Sequence, residues 1–190
     1  MSSQPNTYIS PEEYLAIERQ AEYRSEYYAG EMFAMAGATR RHNRIVTNLT
    51  TTLDNQLKAR PCNVYSTDMR VNVPRTGLYT YPDLVVTCGE EIFAADKQED
   101  ILLNPLVIIE VLSDSTEAYD RGKKFEHYQS INSLTTFILV TQHSPRVEQY
   151  VRQEDGRLWT YSETHEVGAT IKVEAIACEL KLEDVYSKVA

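Results

Sequence analysis

Glu110 stands inside Val107-Ile108-Ile109-Glu110-Val111-Leu112, within the most apolar strand-like stretch of the chain, on the same face as Ile108 and Leu112. A lone carboxylate buried there costs several kcal/mol, so it must be protonated, paired or holding a cation. Asp83, in Tyr81-Pro82-Asp83-Leu84-Val85-Val86, is the second such acid. Proline cannot donate to a sheet ladder, so Pro82 marks a strand start and places Asp83 at a sheet end. The third residue is Lys124. In DRGKKFEHYQSI, Phe125, Tyr128 and Ile131 form a buried helical stripe. At ~100° per residue Lys124 lies about 40° from Tyr128 and can lean over the sheet end, while Lys123 points nearly opposite, to solvent. The plainer reading is that each acid satisfies a core hydrogen bond or ion pair, and that Asp120 and Lys124 are simply an i,i+4 pair.

Other chemistries leave no trace. The chain has no GxxxxGK[ST], no GxGxxG after a strand, no GxSxG and no HExxH, and His42, His127, His143 and His165 share no ligand spacing. Cys62, Cys88 and Cys178 are scattered singly, an odd number without a CxxC pair, which predicts three reduced, mostly buried thiols.

The elements that must position the acids follow from pattern. Ser10-Pro11-Glu12-Glu13 is a helix start with N-cap, Pro at the first position and Glu at the third, and the helix runs to about residue 20. YRSEYYAGEMFAMAG reads as a hairpin about Ala29-Gly30. Ile45, Leu49, Leu53 and Leu57, at steps of four, predict one long helix over 40–59, stopped by Pro61. CNVYS, MRVNV, YTYPDLVVT and PLVIIEVLS read as strands, with 89–104 a polar connection. A helix over 120–131 follows, then strands LTTFILVTQ, RVEQYVRQ and RLWTYSE with a turn at Asp155-Gly156, and a short strand and helical turn at the end. The expected architecture is a single α/β domain over 1–190, a mixed central sheet flanked by helices, with residues 1–38 as a helix-and-hairpin extension.

Composition bounds the partners. The 190 residues are 42% hydrophobic and 25% charged, enough for one domain with a proper core. No apolar run approaches the ~20 residues of a membrane span, and MSSQPNTYISPEEYL lacks the features of an export signal, so a soluble, cytoplasmic protein is expected. The net charge of -9 argues for a solvated acidic surface. Basic clusters at Arg40, Arg41 and Arg44, and at Arg121, Lys123 and Lys124, stay compatible with an anionic substrate if metal adds positive charge.

The ordered set resembles the PD-(D/E)xK restriction-endonuclease-like superfamily, in particular its bacterial Uma-type branch. It comprises Glu26, Gly30 and Glu31 in SEYYAGEM, His42, Pro82-Asp83, Glu110-Val111-Leu112-Ser113, then Asp120, Lys124 and Tyr128, and it spans nearly the whole chain. By position the resemblance makes Asp83 and Glu110 the metal-binding catalytic acids. The superfamily's lysine falls two residues after the second acid, where this chain has Leu112, and Lys124 matches the site to which the branch has moved it. Glu31, His42 and Asp120 are possible auxiliary residues, and Glu26 follows the branch pattern with either a site or a hairpin role.

The implied activity is hydrolysis of DNA phosphodiesters with Mg²⁺ or Mn²⁺ held by Asp83, Glu110 and the carbonyl of Val111, all-oxygen ligands suited to hard cations. Lys124 would orient the attacking water. Arg40, Arg41, Arg44 and Arg121 would contact flanking phosphates in a salt-sensitive manner. A homodimer is expected by analogy with nucleases that cut two strands, and no segment reads as a separate specificity domain. Two rival readings stand beside this one. The first is a catalytically inactive nuclease-fold module that binds nucleic acid or protein, favoured by the acidic pI and Leu112. The second is a purely structural Glu110–Lys124 pair.

Overall fold

The structure, a computed structural model, describes residues 8–96, 98–114 and 116–189. The opening residues on which the export-signal expectation partly rests lie outside these. The elements are α1 (Pro11–Glu18), the hairpin β1 (Ser25–Tyr28) and β2 (Glu31–Ala34), α2 (Arg40–Leu57), β3 (Cys62–Ser66), β4 (Arg70–Val73), β5 (Leu78–Thr80), β6 (Leu84–Cys88), β7 (Ile101–Leu102) and β8 (Val107–Leu112). There follow a composite helix of α3 (Glu117–Tyr119), a π-helical turn (Asp120–Lys124) and α4 (Phe125–Tyr128), then β9 (Thr136–Thr141), β10 (Val147–Arg152), β11 (Trp159–Thr164), β12 (Thr170–Val173), β13 (Cys178–Lys181) and α5 (Leu182–Val185).

The expected α/β class is what forms, and its central sheet is mixed. Six strands run β11-β10-β9-β8-β6-β3, with β8 and β9 parallel and the other pairs antiparallel. A second sheet, β2-β1-β5-β4-β7, takes the N-terminal hairpin as its edge, and β12 and β13 pair separately. Between the two large sheets lies one core, where Val71, Val73 and Leu78 meet Ile108, Leu112, Tyr128 and Phe137. On the other face of the six-stranded sheet lies a second core, where Ile45, Leu49, Leu53 and Leu57 of α2 pack against Val107, Ile109 and Val111. β8 is therefore covered on both faces, as its unbroken apolar run demands.

Local chemistry explains the element ends. Ser10 and Glu13 form the anticipated capping box on α1. Ala29 and Gly30 both adopt positive φ, the primed turn that matches strand twist, and a Cβ on Gly30 would run into the Tyr8 ring.

Three expectations need correction. YTYPDLVVT is not one strand: β5 ends at Thr80, the chain crosses at Tyr81–Asp83 where Pro82 has no N–H to give, and β6 begins in the other sheet. The connection 89–104 holds β7, which pairs in parallel with β4. The cysteines are not three free thiols either. The β3–β6 register sets Cys62 directly opposite Cys88, their Cα atoms 4.0 Å apart, and they form a disulfide, leaving Cys178 as the buried free thiol. Pairing across an antiparallel edge depends on register, which scattered single cysteines do not reveal.

Candidate active site

Asp83 and Glu110 meet because the β6–β8 ladder ends between them. Leu84 lies opposite Ile109, so Asp83 comes opposite Glu110 one step beyond the last paired residues. The Asp83 carboxylate takes over there. Its Oδ2 accepts the Val111 N–H at 2.7 Å, and the Asp83 N–H points at Glu110 Oε2 at 3.4 Å. His42, in the first turn of α2, places Nε2 3.0 Å from the same Oδ2. That helix end is fixed by its N-cap Thr39, which accepts the His42 N–H and hydrogen-bonds Gln142, whose side-chain amide in turn donates to the Leu112 carbonyl.

Lys124 enters from the composite helix. A π-turn carries an extra residue per turn, and such turns are frequent at functional sites. Here it turns both Asp120 and Lys124 inward, each about nineteen-twentieths buried. Lys124 Nζ lies 3.0 Å from Glu110 Oε1, 3.1 Å from Glu26 Oε1 and 3.5 Å from Asp120 Oδ1. Tyr128, one turn on, donates its hydroxyl to Glu110 Oε1 at 2.8 Å. Glu26 comes from β1 in the second sheet, where it accepts the Thr80 hydroxyl.

The structure thus brings together Asp83, Glu110, Val111, Lys124, Asp120 and His42, and adds Glu26 from the hairpin. Tyr128, Thr80 and Tyr119 are further members: the Tyr119 ring centroid lies 5.9 Å from the Lys124 ammonium. Nothing in sequence spacing marks Thr80, at the end of β5, or Tyr119, at the end of α3. Glu31 is elsewhere, exposed on β2 opposite Tyr28. Arg40, Arg41 and Arg44 are exposed around His42 at the start of α2, and Arg41 approaches His143 at 3.5 Å. Arg121 turns away from the acids: its guanidinium pairs with Glu117 and with the buried Glu148 of β10. Glu110 does contact Lys124, as the structural reading supposed, but Asp83 faces the same point and is not turned away.

The electrostatics are lopsided. Three carboxyl groups, those of Glu110, Glu26 and Asp120, surround one ammonium, and Asp83 adjoins Glu110. Burial pushes the Glu110 carboxyl up, and Lys124 only partly opposes it while Asp120 and Asp83 add to it. Asp120 is raised in the same way, chiefly by burial. Burial alone would lower Lys124, but attraction to Glu110 and its neighbours outweighs that and holds it charged. The donors fit a hard divalent cation in kind, all being oxygens. Among the described residues, however, no three His, Cys, Asp or Glu side chains stand together as a ready metal site. Lys124, Tyr128 and His42 already engage these oxygens.

A pH dependence follows. An acid whose folded-state pKa is raised takes up its proton earlier when folded, so stability falls as pH rises from the ordinary carboxylate range toward the raised value. Lys124, raised above its usual value, changes nothing until well into alkali. Without divalent metal, thermal melts of the protein should show stability falling as pH rises from the ordinary carboxylate value of 4.5 toward about 8, where the buried Glu110 carboxyl ionises. His127, held low by burial, slopes the other way through its usual range and does so in any variant. The Glu110→Gln protein should therefore show a shallower downward slope, the remainder coming from Asp120, and an unchanged profile would remove Glu110 as a source.

Residues 11–183 match the family Uma2, described as "Putative restriction endonuclease". Two uncharacterized proteins of Synechocystis sp. are each 36% identical: slr1290 over 154 residues, covering 81% of this chain and 80% of the relative, and sll1609 over 155 residues, covering 82% and 86%. The fold matches the crystal structure of a "putative nuclease belonging to DUF820" from Anabaena variabilis with a TM-score of 0.77, over 96% of this chain and 99% of that one, at 20% identity. Among the described residues no helix is long and apolar enough to cross a membrane.

Proposed function

The chain belongs to the Uma2 family, and from that premise we propose that it is an endonuclease that hydrolyses DNA phosphodiester bonds with Mg²⁺ or Mn²⁺. The observation that carries this reading is the convergence of Asp83 and Glu110, 27 residues apart, with the Asp83 amide 3.4 Å from Glu110 Oε2 and a lysine 3.0 Å from the other Glu110 oxygen. A surplus of buried negative charge around one ammonium calls for further positive charge, and a divalent cation is a direct way to supply it.

Asp83, Glu110 and the Val111 carbonyl would hold the ion, which when bound would polarise a phosphate oxygen and offset charge in the transition state. The protein's own groups do the rest. The Val111 N–H and His42 fix the Asp83 carboxylate, and Tyr128 fixes Glu110 through Oε1, which keeps Oε2 turned toward Asp83. Lys124 orients the attacking water and places an ammonium against the anionic phosphorus centre. Arg40, Arg41 and Arg44, exposed beside His42, contact flanking phosphates. A homodimer would offer one such site to each strand.

Purified protein with Mn²⁺ or Mg²⁺ should convert supercoiled plasmid to the nicked form, and EDTA should stop it. Plasmid left intact at millimolar metal by correctly folded protein would overturn the assignment. It would then favour the second reading, a nuclease-fold binding module, for which the absence of a ready three-residue metal grouping among the described residues speaks.

A further inference from the structure

One helical step from Lys124, the same pair of elements opens a groove that the active site does not use. On β1, Glu26 and Tyr28 share a face because side chains alternate along a strand. Glu26 meets Lys124, and Tyr28 meets His127, their rings 4.7 Å apart and edge-on. The three residues from 124 to 127 rise about 4.5 Å along a helix, so the two contacts are neighbours. Beside Tyr28 and His127 lies a cavity of about 440 Å³, lined also by Arg75 and Thr76 of the β4–β5 turn and by Lys123 and Glu126 of the helix.

The lining has the chemistry of an anion site with an aromatic wall. Arg75 and Lys123 are exposed and make no ion pair within the described residues. The Thr76 hydroxyl is buried and finds no hydrogen-bond partner among the described residues, so a donor-acceptor group waits at the groove wall. Tyr28 is 39% exposed, leaving ring surface for another planar group. The carboxylate of Glu126 sits in the same lining and trims the positive charge without cancelling it. On a chain of net charge -9, two unpaired cations converging on one groove contrast with the surface around them.

We infer that this groove binds an unpaired nucleotide of a nucleic-acid strand, its phosphate held by Arg75, Lys123 and the Thr76 hydroxyl and its base against Tyr28. The ligand class rests on the nuclease reading above, and the groove adds a subsite next to the proposed point of cleavage. Aromatic faces and tracking cations are the usual means of holding single strands with little sequence preference. Lys123, whose helical direction alone marks it as a solvent residue, gains a role by facing this groove.

The test is binding without chemistry. Fluorescence anisotropy with a labelled single-stranded oligonucleotide, in EDTA, should show affinity about tenfold lower for Arg75→Ala/Lys123→Ala than for the parent. The slope of log affinity on log salt should be shallower by about 0.7, for the one phosphate the two cations share. Tyr28→Ala should weaken binding about fivefold or more, with little change in that slope. All three exposed positions should leave the thermal melt near that of the parent. Parent-like affinity and salt slope in the double variant would overturn the groove, as would a parent protein that binds no oligonucleotide. The two proposals fail separately. A protein that never nicks plasmid but loses oligonucleotide binding in the double variant keeps the groove and loses the nuclease. One that nicks in metal and binds equally in both forms does the reverse.

Discussion

Lys124→Met is expected to destabilise the protein by about 3–5 kcal/mol, the cost of removing one partner from a buried ion pair. The methionine fills similar space, so packing loss is small and the effect is electrostatic. Glu110, Glu26 and Asp120, all within 3.5 Å of the ammonium in the parent, would be left with no cation among them. Their mutual repulsion in a site of low polarity is then relieved only by protons or metal. The variant's deficit in urea denaturation should therefore shrink as the pH is lowered from about 8 to about 5, because Glu110 and Asp120, already raised in the parent, can take up protons in the folded state. Plasmid nicking should be lost at the same time. An unfolding free energy from urea denaturation within about 0.5 kcal/mol of the parent's, a difference typical of inconsequential surface changes, would show that Lys124 does not balance these acids.

Asp83→Asn should do the opposite: little to stability and much to activity. An asparagine oxygen can still accept the Val111 N–H, so the strand end stays capped. What is lost is a charge that would help hold a divalent ion. Nicking should fall about a thousandfold, the equivalent of several kcal/mol of transition-state stabilisation. Calorimetric titration with Mn²⁺ should show the parent's binding weakened or gone. Parent-like metal affinity together with parent-like nicking would remove Asp83 from the site.

The sequence made some parts of this arrangement plain and hid others for identifiable reasons. The leucine and isoleucine stripe of α2 is visible because a helix repeats its buried face every turn, and Ile45, Leu49, Leu53 and Leu57 are all buried as the spacing requires. Glu110 stands out because a carboxylate among valines and isoleucines has few tolerable explanations. Ordinary helical angles predict the direction of Lys124, and the structure brings it to the acids by a π-turn that no residue pattern announces. Glu26 was ambiguous because the hairpin's attachment to a second sheet is a long-range fact. The same holds for Cys62 and Cys88, whose pairing is set by register, and for the division of 78–88 between two sheets. Arg121 shows the limit of reading charge from a cluster. It looks like its basic neighbours in sequence, yet its guanidinium is tied to Glu148 by tertiary packing.

The crossing at Tyr81–Asp83 has one more consequence. Asp83 sits where the chain leaves the five-stranded sheet for the six-stranded one, Glu26 belongs to the five-stranded sheet, and Glu110 to the six-stranded one. The cluster is therefore a rivet through both layers, and a partly opened molecule in which the layers slide apart cannot keep it assembled. Amide exchange at Val111 should accordingly report whole-molecule opening instead of local fraying, and any cation seated there would act as a clasp whose strength adds to the cohesion of the two layers.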